Sequence, residues 1–295
     1  MGRRSGDWRV LLGFGLGMLC LPVSGAEASD RSAPPLASSW TREQAAQVRL
    51  IAGSVAAPGH ATRVYAGLEI ELDDGWKTYW RNPGTSGVPP QVDLDGSENL
   101  AKAELMFPAP IRFKGRDGDT IGYKKHVVLP VALTPKDPSK PIVLKVAAEF
   151  GLCREVCIPV THTLGLTVPQ NAAVLSSTGR LSEALSKVPV EGASGAKVPR
   201  LERVTARLTG EKPEVVIDAR FPGQPEKGDI FLEAPEGRWI PLPQPAGQSA
   251  DGSRRFVVDL SDGADVADLK GRPIRATLVG AEGQAEATFD LVEAR

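Results

Sequence analysis

Residues 144–168 read LKVAAEFGLCREVCIPVTHTLGLTV, and they give the clearest indication of the fold. Apolar residues, with one histidine among them, occupy every second position over Leu144–Phe150 and again over Val160–Val168. Period-two alternation is typical of half-buried β-strands, and two such runs joined by a few residues predict a β-hairpin. We therefore expect Cys153 and Cys157 at the bend of a hairpin.

The spacing of these two cysteines leaves three chemistries open. Three residues between them make a small ring, and a disulfide across so short a loop contributes only about 2 kcal/mol in the chain-entropy account. A pair that stabilises so little suits thiol–disulfide exchange, in which a neighbouring thiol resolves the mixed disulfide. A purely structural disulfide is the second interpretation. The third is a Cu(I) site that adds His162 to Cys153 and Cys157.

The composition indicates a folded, β-rich protein without a polyanionic partner. The chain has 295 residues, of which 41% are hydrophobic, and this is enough for two ordinary domains with their own cores. A net charge of −1 argues against nucleic-acid binding. With 31 glycines, 25 prolines and only 5% aromatic residues, we expect many turns and short strands rather than long helices.

The first 28 residues are typical of a secretory signal. Arg3, Arg4 and Arg9 form a basic head, Val10–Val23 is apolar, and small residues follow as cleavage sites. The third cysteine, Cys20, lies inside this segment and is expected to be removed with it. The sequence therefore predicts a secreted protein, periplasmic in a bacterium, where disulfides persist. An uncleaved signal is the alternative, and it would be the chain's own contact with a membrane.

Changes of pattern divide the rest of the chain into four segments. Residues 29–47 are interpreted as a leader, and residues 48–170 as a first β domain. Residues 171–197 are interpreted as a linker with one short helix over Ser176–Val188. Residues 198–295 carry four further alternating runs separated by turn signals, which predict a second β-sandwich.

Six short motifs occur in one order along the first β domain. They are Gly75–Gly84 (GWKTYWRNPG), Gly87–Pro90 (GVPP), Phe107–Pro110 (FPAP), Ile121–Tyr123 (IGY), Val128–Val131 (VLPV) and Cys153–Pro159 (CREVCIP). The ordered set resembles the N-terminal periplasmic domain of the thiol:disulfide interchange protein DsbD family, and most closely its ScsB variant. The resemblance covers Val48–Val168 well and the second β segment more loosely.

The resemblance implies an all-β protein with two immunoglobulin-like β-sandwich domains in tandem and the cysteine pair on a hairpin of the first. By position, Cys157 is expected to form the mixed disulfide with partners, and Cys153 to resolve it. The family shields its cysteines with an aromatic residue of a cap loop, for which Phe113 is the match and Tyr123 a neighbouring candidate. Ordinary packing is the alternative for both aromatic residues.

Two further sets of residues follow from the same comparison. Trp76, Tyr79 and Trp80 carry part of the family signature, and we expect them to pack rather than to take part in chemistry. The acidic residues that precede the cap aromatic in the family are replaced here by Ile111 and Arg112. Any tuning of the thiols by those acids is therefore in doubt for this chain.

The resemblance implies an electron relay without a cofactor. The protein is expected to receive reducing equivalents from a membrane-bound thiol reductase and to pass them to periplasmic thioredoxin-fold or substrate proteins, as a protein thiol–disulfide oxidoreductase. No segment of the sequence matches the family's membrane or thioredoxin-like domains, so we expect the donor on another chain. The alternative function is a Cu(I)-binding copper-tolerance module that uses Cys153, Cys157 and His162.

Overall fold

The computed structural model describes Gly2 and residues 36–57, 59–116, 118–169 and 179–294. Apart from Gly2, the predicted signal with Cys20 lies outside the described residues, as do residues 29–35 of the predicted leader. Within the described part of the chain, no helix is long and apolar enough to cross a membrane.

Twelve antiparallel strands build the first half of the described chain. Their bounds are β1 (Leu36–Ala37), β2 (Thr41–Glu43), β3 (Ala46–Ala57), β4 (His60–Leu72), β5 (Lys77–Gly84), β6 (Gln91–Asp93), β7 (Leu100–Leu105), β8 (Ile111–Phe113), β9 (Thr120–Lys124), β10 (His126–Pro135), β11 (Ile142–Cys153) and β12 (Cys157–Val168).

These strands form two sheets that share one core. The first sheet has the order β1-β3-β4-β10-β7, with β2 beside β3, and the second has the order β12-β11-β5-β9-β8, with β6 beside β11. Residues from both sheets, such as Leu68 of β4 and Phe150 of β11, are fully buried in one hydrophobic cluster. Two sheets that face each other across a core make a β-sandwich. The predicted all-β class is confirmed.

The predicted hairpin is confirmed over its full length. β11 and β12 pair from Ile142 opposite Val168 to Cys153 opposite Cys157. Even-numbered residues of both strands face the core, and odd-numbered residues face the other side of the sheet. The alternation in the sequence therefore reports the two faces of one long hairpin.

Seven strands and a short helix build the second half. They are β13 (Arg200–Arg207), β14 (Glu214–Arg220), β15 (Asp229–Glu233), β16 (Gln244–Gln248), β17 (Arg254–Asp259), α2 (Val266–Leu269), β18 (Pro273–Val279) and β19 (Gln284–Asp290). The sheets β13-β14-β17-β16 and β15-β18-β19 enclose a second core. The four predicted runs correspond to β14, β17, β18 and β19.

The linker and the leader both contribute structure to the first sandwich. Helix α1 (Gly179–Ser186) falls within the predicted helix, and its Leu185 packs with Val128 on the outer face of the first sheet. Strands β1 and β2 lie inside the segment interpreted as a leader and pair with β3. Strands of two and three residues are too short to leave a period in the sequence.

The two sandwiches touch through β15. Ile230 and Leu232 of this strand belong to the second core, whereas Phe231 joins the first core and lies 5.8 Å from the Trp80 ring. Ala33–Arg295 accordingly form one compact unit. The division into two domains in tandem stays a prediction.

Candidate redox site at the tip of the β11–β12 hairpin

The tip of the hairpin carries a disulfide whose two cysteines differ in exposure. Cys153 and Cys157 are bonded, with their Cα atoms 4.1 Å apart. Cys153 is buried, whereas Cys157 and the three loop residues between them are exposed, Val156 to 69%. An incoming thiol therefore has access to Cys157 from solvent, while Cys153 is covered.

Strand β5 runs beside Cys153 and supplies the nearest side chains. Lys77 pairs with Cys153 and Thr78 with Leu152, so the side chain of Tyr79 lies on the same face as the disulfide. The Tyr79 ring is packed between two glycines. A Cβ atom would lie 2.9 Å from the ring at Gly151 and 2.4 Å from it at Gly87, so only glycine permits this approach.

The Tyr79 hydroxyl lies 3.0 Å from the Sγ atom of Cys157. A disulfide sulfur has no hydrogen, so in this state the hydroxyl donates and the sulfur accepts. Burial raises the pKa of Tyr79, which keeps the hydroxyl protonated near neutral pH. The prediction that Tyr79 packs is met by its 1% exposure, but it missed this polar contact. The signal for this contact in the sequence was the motif Gly75–Gly84, which contains Tyr79.

The structure places Phe113 close to the strand that flanks the disulfide. Phe113 ends β8, pairs with Thr120 of β9 and is half-buried. The Nζ atom of Lys77, the residue opposite Cys153, lies 5.1 Å from the centre of the Phe113 ring and donates a 2.8 Å hydrogen bond to Thr120 Oγ1. Burial lowers the pKa of Lys77. The shielding role of Phe113 stays a prediction.

Tyr123 takes part in the core of the first sandwich. Its side chain is packed in the main hydrophobic cluster, and its hydroxyl donates a 2.8 Å hydrogen bond to the carbonyl of Pro108. Burial raises the pKa of Tyr123 well above its ordinary value. These contacts agree with the packing alternative, and shielding by Tyr123 also stays a prediction.

The structure does not bring His162 to the cysteines. His162 is five positions beyond Cys157 on β12, which is about 16 Å along an extended strand. It also faces the core, where its ring stacks on Phe150 with centroids 5.7 Å apart, whereas Cys157 faces solvent. Burial lowers the pKa of His162 and favours the neutral ring. The three-residue copper set is therefore not assembled in this fold.

A second cluster of titratable groups lies on the first sheet. Glu69, Glu71 and His126 offer ligand atoms within 4.8 Å of one another. The buried Glu69 carboxylate already accepts hydrogen bonds from Arg49 (2.7 Å), His126 (2.9 Å) and Arg180 (2.5 Å). Two arginines on the shared carboxylate balance its charge, so this cluster is a salt-bridge network rather than a cation site.

The comparisons with known proteins agree with this geometry. No curated protein matches the chain at a significant level. The structure is similar to the crystal structure of the N-terminal periplasmic domain of ScsB from Proteus mirabilis, with a TM-score of 0.67 and 24% identity over 88% of this chain and 100% of that chain. At this identity the likeness shows the fold alone. The family described as thiol:disulfide interchange protein DsbD, N-terminal, matches residues 47–169. This segment carries the hairpin and the paired cysteines, and its match to the family model supports the resemblance that the ordered motifs predict.

Proposed function

We propose that this protein is a periplasmic thiol–disulfide interchange protein that relays reducing equivalents through Cys153 and Cys157. The observation that carries the proposal is the unequal exposure of the two cysteines of one disulfide. An exposed sulfur can be attacked by a partner, and a buried neighbour is held in place to resolve the product. The family match over residues 47–169 supports the same chemistry.

The exchange takes place in two balanced steps. A thiolate of a reduced donor attacks Cys157 Sγ, which forms the mixed disulfide and breaks the Cys153–Cys157 bond. Cys153 leaves with the electron pair and takes up a proton. The donor's second thiolate then attacks the donor sulfur of the mixed disulfide and expels Cys157. The donor is now oxidised, and this protein carries two thiols that can reduce an acceptor by the reverse sequence.

Tyr79 assists the steps in which Cys157 carries charge. A hydroxyl 3.0 Å from Sγ can donate to the Cys157 thiolate, and a hydrogen bond to the charged form lowers the pKa of a thiol. The activation free energy for expelling Cys157 from the mixed disulfide is therefore lower, because a better-stabilised thiolate leaves faster.

The partners are proposed from the family's chemistry. The donor is a membrane-bound thiol reductase, and the acceptors are periplasmic thioredoxin-fold proteins or oxidised substrates. The predicted signal supports export to the periplasm, and the structural neighbour from Proteus mirabilis is named as a periplasmic domain. The exposed Val156 next to Cys157 gives a partner an apolar contact beside the reactive sulfur.

The reduction potential of the pair tests the proposal. The protein is equilibrated in dithiothreitol redox buffers, and the fraction of reduced Cys153 and Cys157 is read by thiol alkylation and mass spectrometry. A relay requires a potential above about −300 mV, since structural disulfides of secreted proteins have lower values. A potential well below that limit would identify an inert structural bond and would overturn the relay.

Copper titration tests the alternative function. Two thiols suit Cu(I), but the third predicted ligand, His162, faces the opposite side of the sheet. We therefore expect the reduced protein to show no stoichiometric tight binding of Cu(I). Tight binding that Cys157→Ser abolishes would favour the copper module over the relay.

A further inference from the structure

We propose that Asp229 of the second sandwich holds Arg112 of strand β8 and thereby positions Phe113 beside Lys77, the residue paired with Cys153 of the redox site. Strand β8 (Ile111–Phe113) is called the cap strand below. The inference rests on the proposed function, because it concerns access to the exchanging disulfide. It assigns the second sandwich a positioning role in the redox chemistry of the first sandwich.

Arg112 ties the cap strand to the second sandwich by several hydrogen bonds. Its Nε and Nη2 atoms donate to the two carboxylate oxygens of Asp229 at 2.9 and 2.7 Å, and Nη2 also donates to the carbonyl of Ile230 at 3.3 Å. Its Nη1 atom donates to Asp119 at 3.3 Å. The Arg112 side chain is only 6% exposed. A bidentate arginine pair with little exposure is among the stronger polar contacts of a protein.

The charges at this anchor are matched. Burial opposes the charge of Arg112, but hydrogen bonds and attraction from Asp229 and Asp119 outweigh it and raise the pKa of the guanidinium. The guanidinium also lies 5.5 Å from the centre of the Phe231 ring. Asp229, Ile230 and Phe231 all belong to β15, so one strand of the second sandwich supplies these contacts to Arg112.

Lys114 makes a weaker contact next to this anchor. It donates to Asp119 at 2.7 Å and to Gln244 of the second sandwich at 3.4 Å. A cavity of about 330 Å³ lies beside these residues, with Trp239 also in its lining. The cavity leaves the chain after the cap strand room to shift, so the pairing of the strand with β9 and the contacts of Arg112 together hold the strand in position.

Consecutive residues connect the anchor to the redox site. Side chains of neighbouring strand residues point to opposite faces, so Arg112 faces the second sandwich while Phe113 faces Lys77. Lys77 is in turn the residue paired with Cys153. The cap strand has only three residues, and Arg112 and Phe113 are neighbours in it. A displacement of Arg112 therefore also displaces Phe113.

The test compares thiol reactivity in full-length variants. The reduced protein is alkylated with iodoacetamide, a small neutral probe, and the rate at Cys153, the buried cysteine that is paired with Lys77, is followed by mass spectrometry. We expect Asp229→Asn to raise this rate about tenfold, which is the change that the loss of one charged hydrogen bond holding the cap strand implies. Arg112→Lys, which keeps the charge but loses the bidentate geometry, should act in the same direction.

A double variant separates positioning from general destabilisation. Phe113→Ala should raise the rate by a similar factor, and Asp229→Asn combined with Phe113→Ala should be no faster than Phe113→Ala alone. The matched control is Asp218→Asn, because Asp218 also accepts a bidentate pair, from Arg255 at 2.8 and 2.9 Å, in the second sandwich. It should lower the melting temperature without changing the alkylation rate.

The outcomes distinguish this inference from the relay itself. Wild-type alkylation rates in both Asp229→Asn and Arg112→Lys, unchanged reactivity in Phe113→Ala, or equal acceleration by Asp218→Asn would each overturn the positioning role. The reduction potential is a separate readout. A potential above about −300 mV with unchanged alkylation would leave the relay standing without this anchor. Faster, non-additive alkylation with a structural potential would leave the anchor standing without the relay.

Discussion

Tyr79 is the polar side chain that the fold places against the exposed sulfur. Its hydroxyl is held by ring packing between Gly87 and Gly151, so the contact with Cys157 does not depend on a mobile side chain. A hydrogen bond to a charged group contributes about 1.5 to 3 kcal/mol. In the reduced protein this hydrogen bond stabilises the Cys157 thiolate more than the Cys157 thiol, and so it lowers the pKa of that thiol.

Tyr79→Phe should raise the pKa of the Cys157 thiol in the reduced protein by roughly one unit. The ring remains in place, while the donor to the charged form is removed. The measurement is the pH dependence of iodoacetamide alkylation at Cys157. Tyr65→Phe is the control, since Tyr65 is equally buried but donates its hydroxyl to the carbonyl of Ala61 on the first sheet. An unchanged pH profile in Tyr79→Phe would remove Tyr79 from the chemistry.

Glu69 offers a second test at the residue scale, on stability. Burial alone would raise the pKa of this carboxyl group, but hydrogen bonds from His126, Arg49 and Arg180 outweigh it and bring the pKa from 4.5 to about 2. A carboxyl group whose pKa is lowered by folding stabilises the protein above its unfolded pKa. That stability is lost as the pH falls from about 4.5 towards about 2.

Glu69→Gln should lower the free energy of unfolding by about 2 kcal/mol at pH 7, because arginines are left without their carboxylate. The deficit relative to wild type should shrink as the pH falls below 4.5. Urea unfolding at pH 7 and pH 3 measures both values. Glu104→Gln is the control, because its pairs with Lys102 and Arg63 are exposed and contribute little. A deficit that stays constant with pH would contradict the assignment.

The two cysteines could be predicted from the sequence, but not every side chain that contacts them. The two cysteines were identified from their spacing in a predicted hairpin, and Phe113 from the resemblance to the family. The contact of Tyr79 with Cys157 depends on how β5 lies against β11 and on a loop that brings Gly87 over the ring. Such contacts join residues 78 positions apart, and alternation within one strand carries no information on them.

At the scale of the elements, the β11–β12 hairpin holds two glycines in different settings. At Gly151 a Cβ atom would lie 2.9 Å from the Tyr79 ring, whereas at Gly165 the nearest atom would be the carbonyl oxygen of Leu144 at 3.6 Å. Both glycines lie on the outward face of the same hairpin. They therefore form a natural pair of variants.

Gly151→Ala should lower the free energy of unfolding by about 1 to 3 kcal/mol through overpacking, and it should displace the Tyr79 hydroxyl from Cys157. Gly165→Ala should leave stability almost unchanged, because its space is open and alanine restricts the unfolded chain. Urea unfolding and the pH profile of Cys157 alkylation measure the two effects. Equal behaviour of the two variants would show that Tyr79 is not confined by Gly151.

The elements that sequence alone predicted are those with one buried face. The hairpin, the helix α1 and strands β14, β17, β18 and β19 show a clear period. Strand β15 shows none, since Ile230, Phe231 and Leu232 are all buried between two cores. Strand β16 is exposed along its whole length and contains Pro245 and Gly247, so its composition is that of a turn.

For the whole molecule, Arg81 is a second charged group, besides Arg112, that joins the two sandwiches. It lies at the end of the first core and forms ion pairs with Glu233 (2.7 Å) and Glu286 (2.5 Å) of the second sandwich. Asn82 adds a 2.9 Å hydrogen bond to the carbonyl of Leu232. These partners are at least 150 positions away in the sequence, so no local pattern could have paired them.

Arg81→Ala should lower the free energy of unfolding by about 3 kcal/mol, because two partly buried carboxylates lose their counter-charge. It should also separate the unfolding of the two sandwiches, which calorimetry would record as two transitions in place of one. Arg42→Ala is the control, since its pair with Asp73 is about half exposed on both sides. A single, unshifted transition in Arg81→Ala would show that the sandwiches are coupled by other contacts.

Covalent trapping is the sharpest test of the proposal that Cys157 exchanges disulfides with thioredoxin-fold proteins. Cys153→Ser and Cys157→Ser variants are expressed in a bacterial periplasm, and their disulfide-linked adducts are identified by mass spectrometry. We predict that Cys153→Ser accumulates thioredoxin-fold proteins bonded to Cys157, since the resolving thiol is gone, and that Cys157→Ser accumulates far fewer. If neither variant carries a thioredoxin-fold adduct, the relay is contradicted.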